Sequence, residues 1–321
     1  MPEMKLIVQI PCLNEEANIG RVLDEIPRFI PGVDTIETLI VDDGSTDRTV
    51  EVALDHGATH ILRLKGNRGL AHAFRAGLEE AIRLGADIIV NTDGDNQYRG
   101  ADIPRLIAPI LAGQADCVIG VRNVRSIPHF SPIKKALQLF GSWTVRKLSG
   151  TNVLDATSGF RAFTREAAAA LDLVTDYTYT LESLIALGKN RAVIAQIPIE
   201  TNNKQRESRL IRSVRQYVLQ CGADMIRIYI RYECFKTFAF LGALAITSGL
   251  LCGLYYAVDR FVYHGRSMVA LAFFSLLITA GLLFIMLGFL GDGIAANRRL
   301  LNAILKQIRL NPPSKPSPPV L

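Results

Sequence analysis

The chain has 321 residues, of which 49% are hydrophobic, and carries 36 Lys+Arg against 30 Asp+Glu. That length exceeds one minimal domain, and a mean hydropathy of +0.23 is high for a purely soluble enzyme. The five cysteines (Cys12, Cys117, Cys221, Cys234 and Cys252) are odd in number and include no C-x-x-C pair, which argues for free thiols and against a thiolate metal site.

The N-terminal stretch "MPEMKLIVQIPCLNEE" lacks a long apolar run of the signal-peptide kind. Residues 1–236 are therefore expected in the cytosol. "KLIVQI" (5–10), "ETLIVD" (37–42), "HILRL" (60–64), "DIIVN" (87–91) and "DCVIGV" (116–121) read as strands. Helical patterns fall between them near 15–29, 46–56, 69–84 and 101–112. Strand and helix alternating this often predict an α/β fold around a mostly parallel sheet, whose ligands bind at the carboxyl ends of the strands.

The first strand runs into "PCLNEEANIG". A dinucleotide-binding unit needs G-x-G-x-x-G here, so a nicotinamide enzyme is disfavoured. Instead Pro11 stiffens the turn, and Asn14 and Glu15 put polar atoms at the strand end. The second strand ends in "VDDGSTD", where the carboxylates of Asp42 and Asp43 could bind the base and ribose of a nucleoside. Taken alone, the same stretch also reads as a capped turn, with Gly44 bending it and Ser45 to Asp47 offering an N-cap. The fourth strand ends in "NTDGDNQY". Two carboxylates one residue apart, Asp93 and Asp95, repel each other unless a divalent cation joins them. Mg²⁺ or Mn²⁺ would keep some water ligands and take others from a diphosphate, with Gln97 adding a ligand or a hydrogen bond.

Beyond Ser208, apolar residues recur at helix spacing from Leu210 to Tyr232, with Arg209, Arg212, Arg215, Arg227 and Arg231 among them. This predicts amphipathic basic helices at a membrane surface, an ordinary helix packed on the domain being the alternative. Residues 237–257 and 268–291 contain no charge, and each is long enough to span a hydrocarbon core of about 30 Å. The loop between them holds Arg260 and Arg266. The outer flanks hold Arg227, Arg231 and Lys236 on one side and Arg298, Arg299, Lys306 and Arg309 on the other. The positive-inside rule then puts both termini in the cytoplasm and makes the chain a multi-pass protein of the cell membrane. Residues 293–310 read as a second interfacial helix, followed by a Pro-rich tail. Residues 204–321 carry 15 Lys+Arg against 5 Asp+Glu, and the rest carries 21 against 25. The basic character thus belongs to the membrane half and suits anionic lipid head groups, not nucleic acid.

"PCLNEE", "VDDGSTDRT", "NRGLAHAFRAGL", "NTDGDNQY", "VIGVRN" and "SGFRAF" resemble, in order, the motifs of family 2 inverting glycosyltransferases with the GT-A fold. The resemblance is closest to the polyprenyl-phosphate branch, which includes dolichol-phosphate mannose synthases and undecaprenyl-phosphate glucosyltransferases. It implies a GT-A nucleotide-diphospho-sugar transferase domain over 1–207 and juxtamembrane helices over 208–236. A two-helix hairpin would follow over 237–291, then a basic helix and tail over 292–321. Pro11, Asn14, Glu15, Asp42 and Asp43 would hold the nucleoside, and Asp93, Asp95 and Gln97 the metal. Arg122 would meet the diphosphate or the lipid phosphate. Asp155 and Arg161 of "DATSGFRAF" would lie near the reacting centre, making Asp95, Asp155, Arg122 and Arg161 the catalytic set. "RESRL" resembles a mobile basic loop that closes over phosphates, giving Lys204, Arg206, Ser208 and Arg209 that role, although Glu207 stands where relatives carry Gly.

The implied partners are a nucleotide sugar, with a uridine or guanosine base, a polyprenyl phosphate and the membrane; a homo-oligomer is left open. The lipid phosphate has a second pKa of about 6 and is largely ionised near neutrality, so Asp155 would orient rather than act as a base. A transferase to a glycan or protein hydroxyl would need a base, for which Asp155 and Glu182 are the candidates. A non-catalytic nucleotide-sugar-binding scaffold is a third reading. A processive synthase is disfavoured because the one tryptophan, Trp143, follows "LFGS" and forms no Q-x-x-R-W motif.

Overall fold

The computed structural model describes residues 3–122, 143, 145–146, 149–173, 179–202, 222, 227, 229–265 and 267–311. The five apolar runs form strands β1 (Lys5–Cys12), β2 (Thr35–Asp42), β3 (His60–Arg63), β4 (Ile88–Asn91) and β5 (Cys117–Arg122). The intervening patterns form α1 (Ile19–Asp24), α2 (Thr49–Asp55), α3 (Leu70–Arg83) and α4 (Ile103–Leu111). Helix α3 shows the local cause. Ala71, Phe74, Leu78, Ala81 and Ile82 fall on one buried face, and Gly85, at φ +86°, stops the helix in the left-handed conformation.

Four further elements complete this unit: β6 (Arg161–Thr164), α5 (Arg165–Ala169), α6 (Tyr179–Lys189) and β7 (Ile194–Ile199). Among the described residues the sheet has the order β3-β2-β1-β4-β6-β5-β7. All its pairings are parallel except those of β6, which runs antiparallel between β4 and β5. The chain winds from β1 out to β3, then crosses to β4 on the far side of β1. That reversal leaves a crevice at the carboxyl ends of β1 and β4. Strand β1 is buried from Leu6 to Cys12, as a parallel strand covered on both faces must be.

The chain divides into two compact units, Met1–Gly222 with Ala303–Leu321, and Ala223–Asn302. The second holds α7 (Cys234–Phe261) and most of α8 (Met268–Leu310). The two helices pack through glycines. A Cβ on Gly242 would lie 2.8 Å from the Gly281 carbonyl oxygen, and one on Gly281 would lie 2.9 Å from that of Gly242. Phe235 packs on Phe289 at 4.9 Å between ring centroids. Outward-facing residues such as Phe240, Leu251, Leu254 and Leu287 are exposed, and both helices are long and apolar enough to cross a membrane. Helix α8 is unbroken over 43 residues, so the interfacial helix expected at 293–310 is a continuation of the second apolar span. No proline interrupts it there, and Ala, Leu, Lys and Arg all favour helix.

Candidate active site

The first rim of the crevice is built from the ends of β1 and β2. Asn14 takes φ +54°, a conformation that asparagine tolerates better than most residues. Its N–H donates to Ser45 Oγ at 2.9 Å, and its Oδ1 accepts from the Thr46 N–H at 2.8 Å. The Glu15 N–H donates to Thr49 Oγ1 at 2.7 Å, and Glu15 Oε2 accepts from Asn18 Nδ2 at 3.1 Å. Asp42 is fully buried. One of its oxygens accepts from the Ser45 N–H at 2.8 Å and the other from Arg63 Nε at 3.2 Å. Asp43 accepts the Arg68 N–H and the Gly69 N–H, each at 2.8 Å. Gly44, at φ +83°, leaves room for this loop, since a Cβ there would meet Gly66 Cα at 2.9 Å. Asp43 thus ties the 65–69 loop to the β2 turn, and Asp42 ties the end of β3 to it. Arg63 and residues 65–69 gave no signal of this in the sequence beyond the place of "NRGL" in the motif series.

The second rim is the loop that follows β4. Gly94 packs so closely that a Cβ would lie 3.2 Å from Cys12 Cβ and 3.5 Å from the Pro11 carbonyl oxygen. This brings Asp93 and Asp95 to the end of β1. Asp95 Oδ1 accepts from the Gln97 N–H at 3.1 Å. Asp93 keeps an edge open to solvent, yet loss of hydration pushes its carboxyl up to about 7, with the charge of Asp95 adding to the rise. The far end of the loop is stitched to the residues after β7. Tyr98 bridges Thr201, the Asn202 N–H donates to the Gln97 carbonyl at 2.9 Å, and Asn202 Nδ2 donates to the Asn96 carbonyl at 3.2 Å. Asn202 had no signal in the sequence, because its partners lie more than 100 positions away.

Arg122 and Asp155 form a bidentate pair, with Nε–Oδ2 at 2.8 Å and Nη2–Oδ1 at 3.1 Å. Arg122 is 9% exposed and Asp155 1%. Thr157 Oγ1 also donates to Asp155 Oδ1 at 2.9 Å. Burial alone would raise the Asp155 carboxyl, but the charge and hydrogen bonds of Arg122 outweigh it and hold the group below the usual carboxylate range. Arg161 is also fully buried. Its guanidinium donates to the Ser158 and Ala156 carbonyls at 2.8 Å each and to Ser183 Oγ at 2.7 Å. Glu182 is fully buried on α6. Lys204, Arg206, Ser208 and Arg209 lie outside the described residues.

Asp93 and Asp95 suit a hard divalent cation. Among the described residues no cluster of three or more His, Cys, Asp or Glu could hold a metal, so a closed all-protein cage is not built there. Two carboxylates beside an open crevice match Mg²⁺ or Mn²⁺, which keep water and take substrate phosphate oxygens as further ligands.

The glycosyl transferase family 2 profile matches residues 7–171. The chain is 30% identical over 222 residues to the UDP-N-acetylglucosamine–dolichyl-phosphate N-acetylglucosaminyltransferase of Methanococcus voltae, covering 63% of this chain and 87% of that protein. It is 27% identical over 215 residues to the polyprenol monophosphomannose synthase of Mycolicibacterium smegmatis, covering 64% and 80%. In structure it is similar to the glucosyl-3-phosphoglycerate synthase of Mycobacterium tuberculosis in complex with Mn²⁺, UDP and glucosyl-3-phosphoglycerate. The TM-score is 0.55 at 23% identity, over 71% of this chain and 79% of that one. At that identity the likeness shows the GT-A fold alone.

Proposed function

The chain belongs to glycosyl transferase family 2, and from that premise we propose that it moves a sugar from a nucleotide diphosphate to a polyprenyl phosphate, with inversion. The observation that carries this reading is the Arg122–Asp155 pair. Asp155, which the motif resemblance puts near the reacting centre, is ionised, buried and held by two guanidinium hydrogen bonds, which makes it a poor general base. A sugar hydroxyl needs a base to become a nucleophile, whereas a phosphate oxygen already carries its charge near neutral pH. The dolichyl phosphate in the name of the first relative and the polyprenol monophosphomannose in the name of the second support this acceptor class, and the UDP-N-acetylglucosamine of the first supports a nucleotide-sugar donor.

In this reading Asp93 and Asp95 hold a divalent cation at the donor diphosphate. When bound, the cation supplies Lewis-acid stabilisation of the leaving diphosphate. Asn14, Glu15, Asp42 and Asp43 build the nucleoside rim, and Gln97 supports the loop. Arg122 presents its remaining edge toward phosphate while Asp155 orients it. Arg161 fixes the 155–161 turn from behind and is a positioning residue. Lys204, Arg206 and Arg209 supply cationic contacts to the acceptor phosphate, and Ser208 a hydroxyl donor. Rate enhancement then comes from bringing two anions together in line. The two apolar helices hold the enzyme at the lipid acceptor, with catalytic unit and both termini on the cytoplasmic face.

The test is transfer by purified full-length protein in detergent, with Mn²⁺ or Mg²⁺, a short polyprenyl phosphate, and a panel of labelled UDP- and GDP-sugars. Label should enter the lipid phase from one donor and be lost with chelator and in Asp95→Ala. Label entering only a glycan or protein hydroxyl would overturn the acceptor class. Metal-dependent nucleotide binding without any turnover would favour the scaffold reading.

A further inference from the structure

Gly159 lies just before β6, and both its backbone polar groups are held by residues that bracket the aspartate loop. Asn91, the last residue of β4, donates from Nδ2 to the Gly159 carbonyl at 2.7 Å. The Gly159 N–H donates to the Tyr98 hydroxyl oxygen at 3.0 Å. Tyr98 is itself fixed by a stack on Phe160, with ring centroids 5.3 Å apart. Asn91 Oδ1 in turn accepts from Gln9 Nε2 at 2.8 Å, and Gln9 and Asn91 are fully buried. One residue before the Thr92–Gln97 loop and one after it therefore grip the same glycine.

The backbone of Gly159 does not occupy the left-handed region, so no positive φ calls for glycine there. The reason for glycine is space. A Cβ at 159 would lie 3.0 and 3.1 Å from the two carboxylate oxygens of Asp93 and 3.2 Å from the Tyr179 hydroxyl. Contacts that short require the neighbour to give by a few tenths of an ångström. Ligand distances to a small divalent cation are about 2.0–2.1 Å, with a tolerance of about 0.2 Å. The displacement an added methyl group demands is as large as that tolerance.

We propose that Gly159 is the seat of the Asp93 carboxylate: a positioning residue, clamped by Asn91 and Tyr98, whose bare Cα sets where the metal-holding oxygens lie. The inference rests on the reading of Asp93 and Asp95 as holders of a divalent cation. It assigns the "SGF" stretch a task separate from that of the Arg122–Asp155 pair. The metal loop is then shaped as much by a residue more than 60 positions away as by its own sequence.

The test is Mn²⁺ binding to full-length protein in detergent with UDP or GDP present, followed by loss of the free Mn²⁺ EPR signal. Tm without metal and metal-free nucleotide affinity are measured on the same samples. Gly159→Ala should weaken Mn²⁺ binding about tenfold or more, as loss of outer-shell support does, while the other two readouts hold. Tyr98→Phe keeps the ring stack but removes the clamp oxygen, and should weaken Mn²⁺ binding in the same direction by less. If Gly159→Ala fails to fold, Tyr98→Phe decides, and wild-type Mn²⁺ affinity there overturns the proposal. A folded Gly159→Ala with wild-type affinity overturns it directly, as does an equal loss of metal-free nucleotide binding. If the unsubstituted protein binds no Mn²⁺ with either nucleotide, the metal reading itself fails and this inference falls with it.

Discussion

At the scale of single residues, the oxygens of each acid decide what it is able to do. Asp155 has both oxygens engaged, so Asp155→Asn should act mainly through Arg122, leaving a buried cation without its counter-charge. The expected cost is about 3–5 kcal/mol of stability, read as a lowered denaturation midpoint. The folded fraction should lose less activity than the about 10²–10⁴-fold that removal of a general base brings. A larger loss at full folding would make Asp155 a base. Asp93 differs, because its carboxyl is raised and not lowered. In the folded protein it keeps its proton from the ordinary 3.8 up to about 7, while the unfolded chain has lost it. The folded form therefore binds more protons in that window, and metal-free stability should fall as pH rises through it. Asp93→Asn should flatten this slope, and saturating Mn²⁺ with nucleotide should flatten it too, because the cation keeps the folded carboxylate ionised as it is in the unfolded chain; melting curves from pH 4.5 to 7.5 check both. Asp93 and Asp95 were legible in the sequence because two charges interrupt an apolar run. The more distant engagement of Asp42 and Asp43 was not, since beyond the Ser45 amide in the same turn their donors are the Arg63 side chain at the end of β3 and the Arg68 and Gly69 backbone amides just before α3.

Among the elements, β1 to β5 and α1 to α4 were readable because each carries a clean apolar pattern bounded by turn residues. β6 was not. "RAFT" is as short as β3 and β4 but lacks their adjacent branched aliphatic residues, and it opens with an arginine that β-propensity does not favour. That arginine is tolerated because backbone carbonyls and a serine hydroxyl meet all three guanidinium nitrogens. The charge-free spans were legible too, but their mode of contact was not, since hydropathy says nothing about which face a helix turns to its neighbour. Gly242 and Gly281 supply it by close backbone approach. Gly242→Ala should therefore destabilise the hairpin by about 1–3 kcal/mol, as overpacking does, because its Cβ would lie 2.7 Å from Ile285 Cγ1. At Gly293, on the same helix as Gly281, an added Cβ would meet nothing within 4 Å. Gly293→Ala should hold or raise stability, since alanine favours helix by about 1 kcal/mol over glycine. Paired thermal melts in detergent compare the two, and equal shifts would rule out the glycine contact as the source of hairpin stability.

For the whole molecule, the uneven charge predicts an orientation in the membrane. A helix of 43 residues is about 65 Å long, roughly twice a hydrocarbon core of about 30 Å. The charge-free run from 268 to 291 accounts for its first part, and the run from Asp292 onward, with Arg298, Arg299, Lys306 and Arg309, must lie outside the hydrocarbon. Bringing those four cations across a membrane would be far costlier than translocating the short loop with Arg260 and Arg266, so the loop should face the opposite side from the catalytic unit. Two thiol reporters test this. His264→Cys places a thiol in the inter-helix loop, and Gln114→Cys places one at an exposed position after α4. A membrane-impermeant maleimide added to intact cells should label the His264→Cys protein at once and the Gln114→Cys protein only after permeabilisation, measured against the unsubstituted protein. The reverse pattern would put the catalytic unit outside, away from cytosolic nucleotide sugars. Labelling of neither before permeabilisation would mean that the helices enter without crossing, and that the enzyme meets its lipid from one face only.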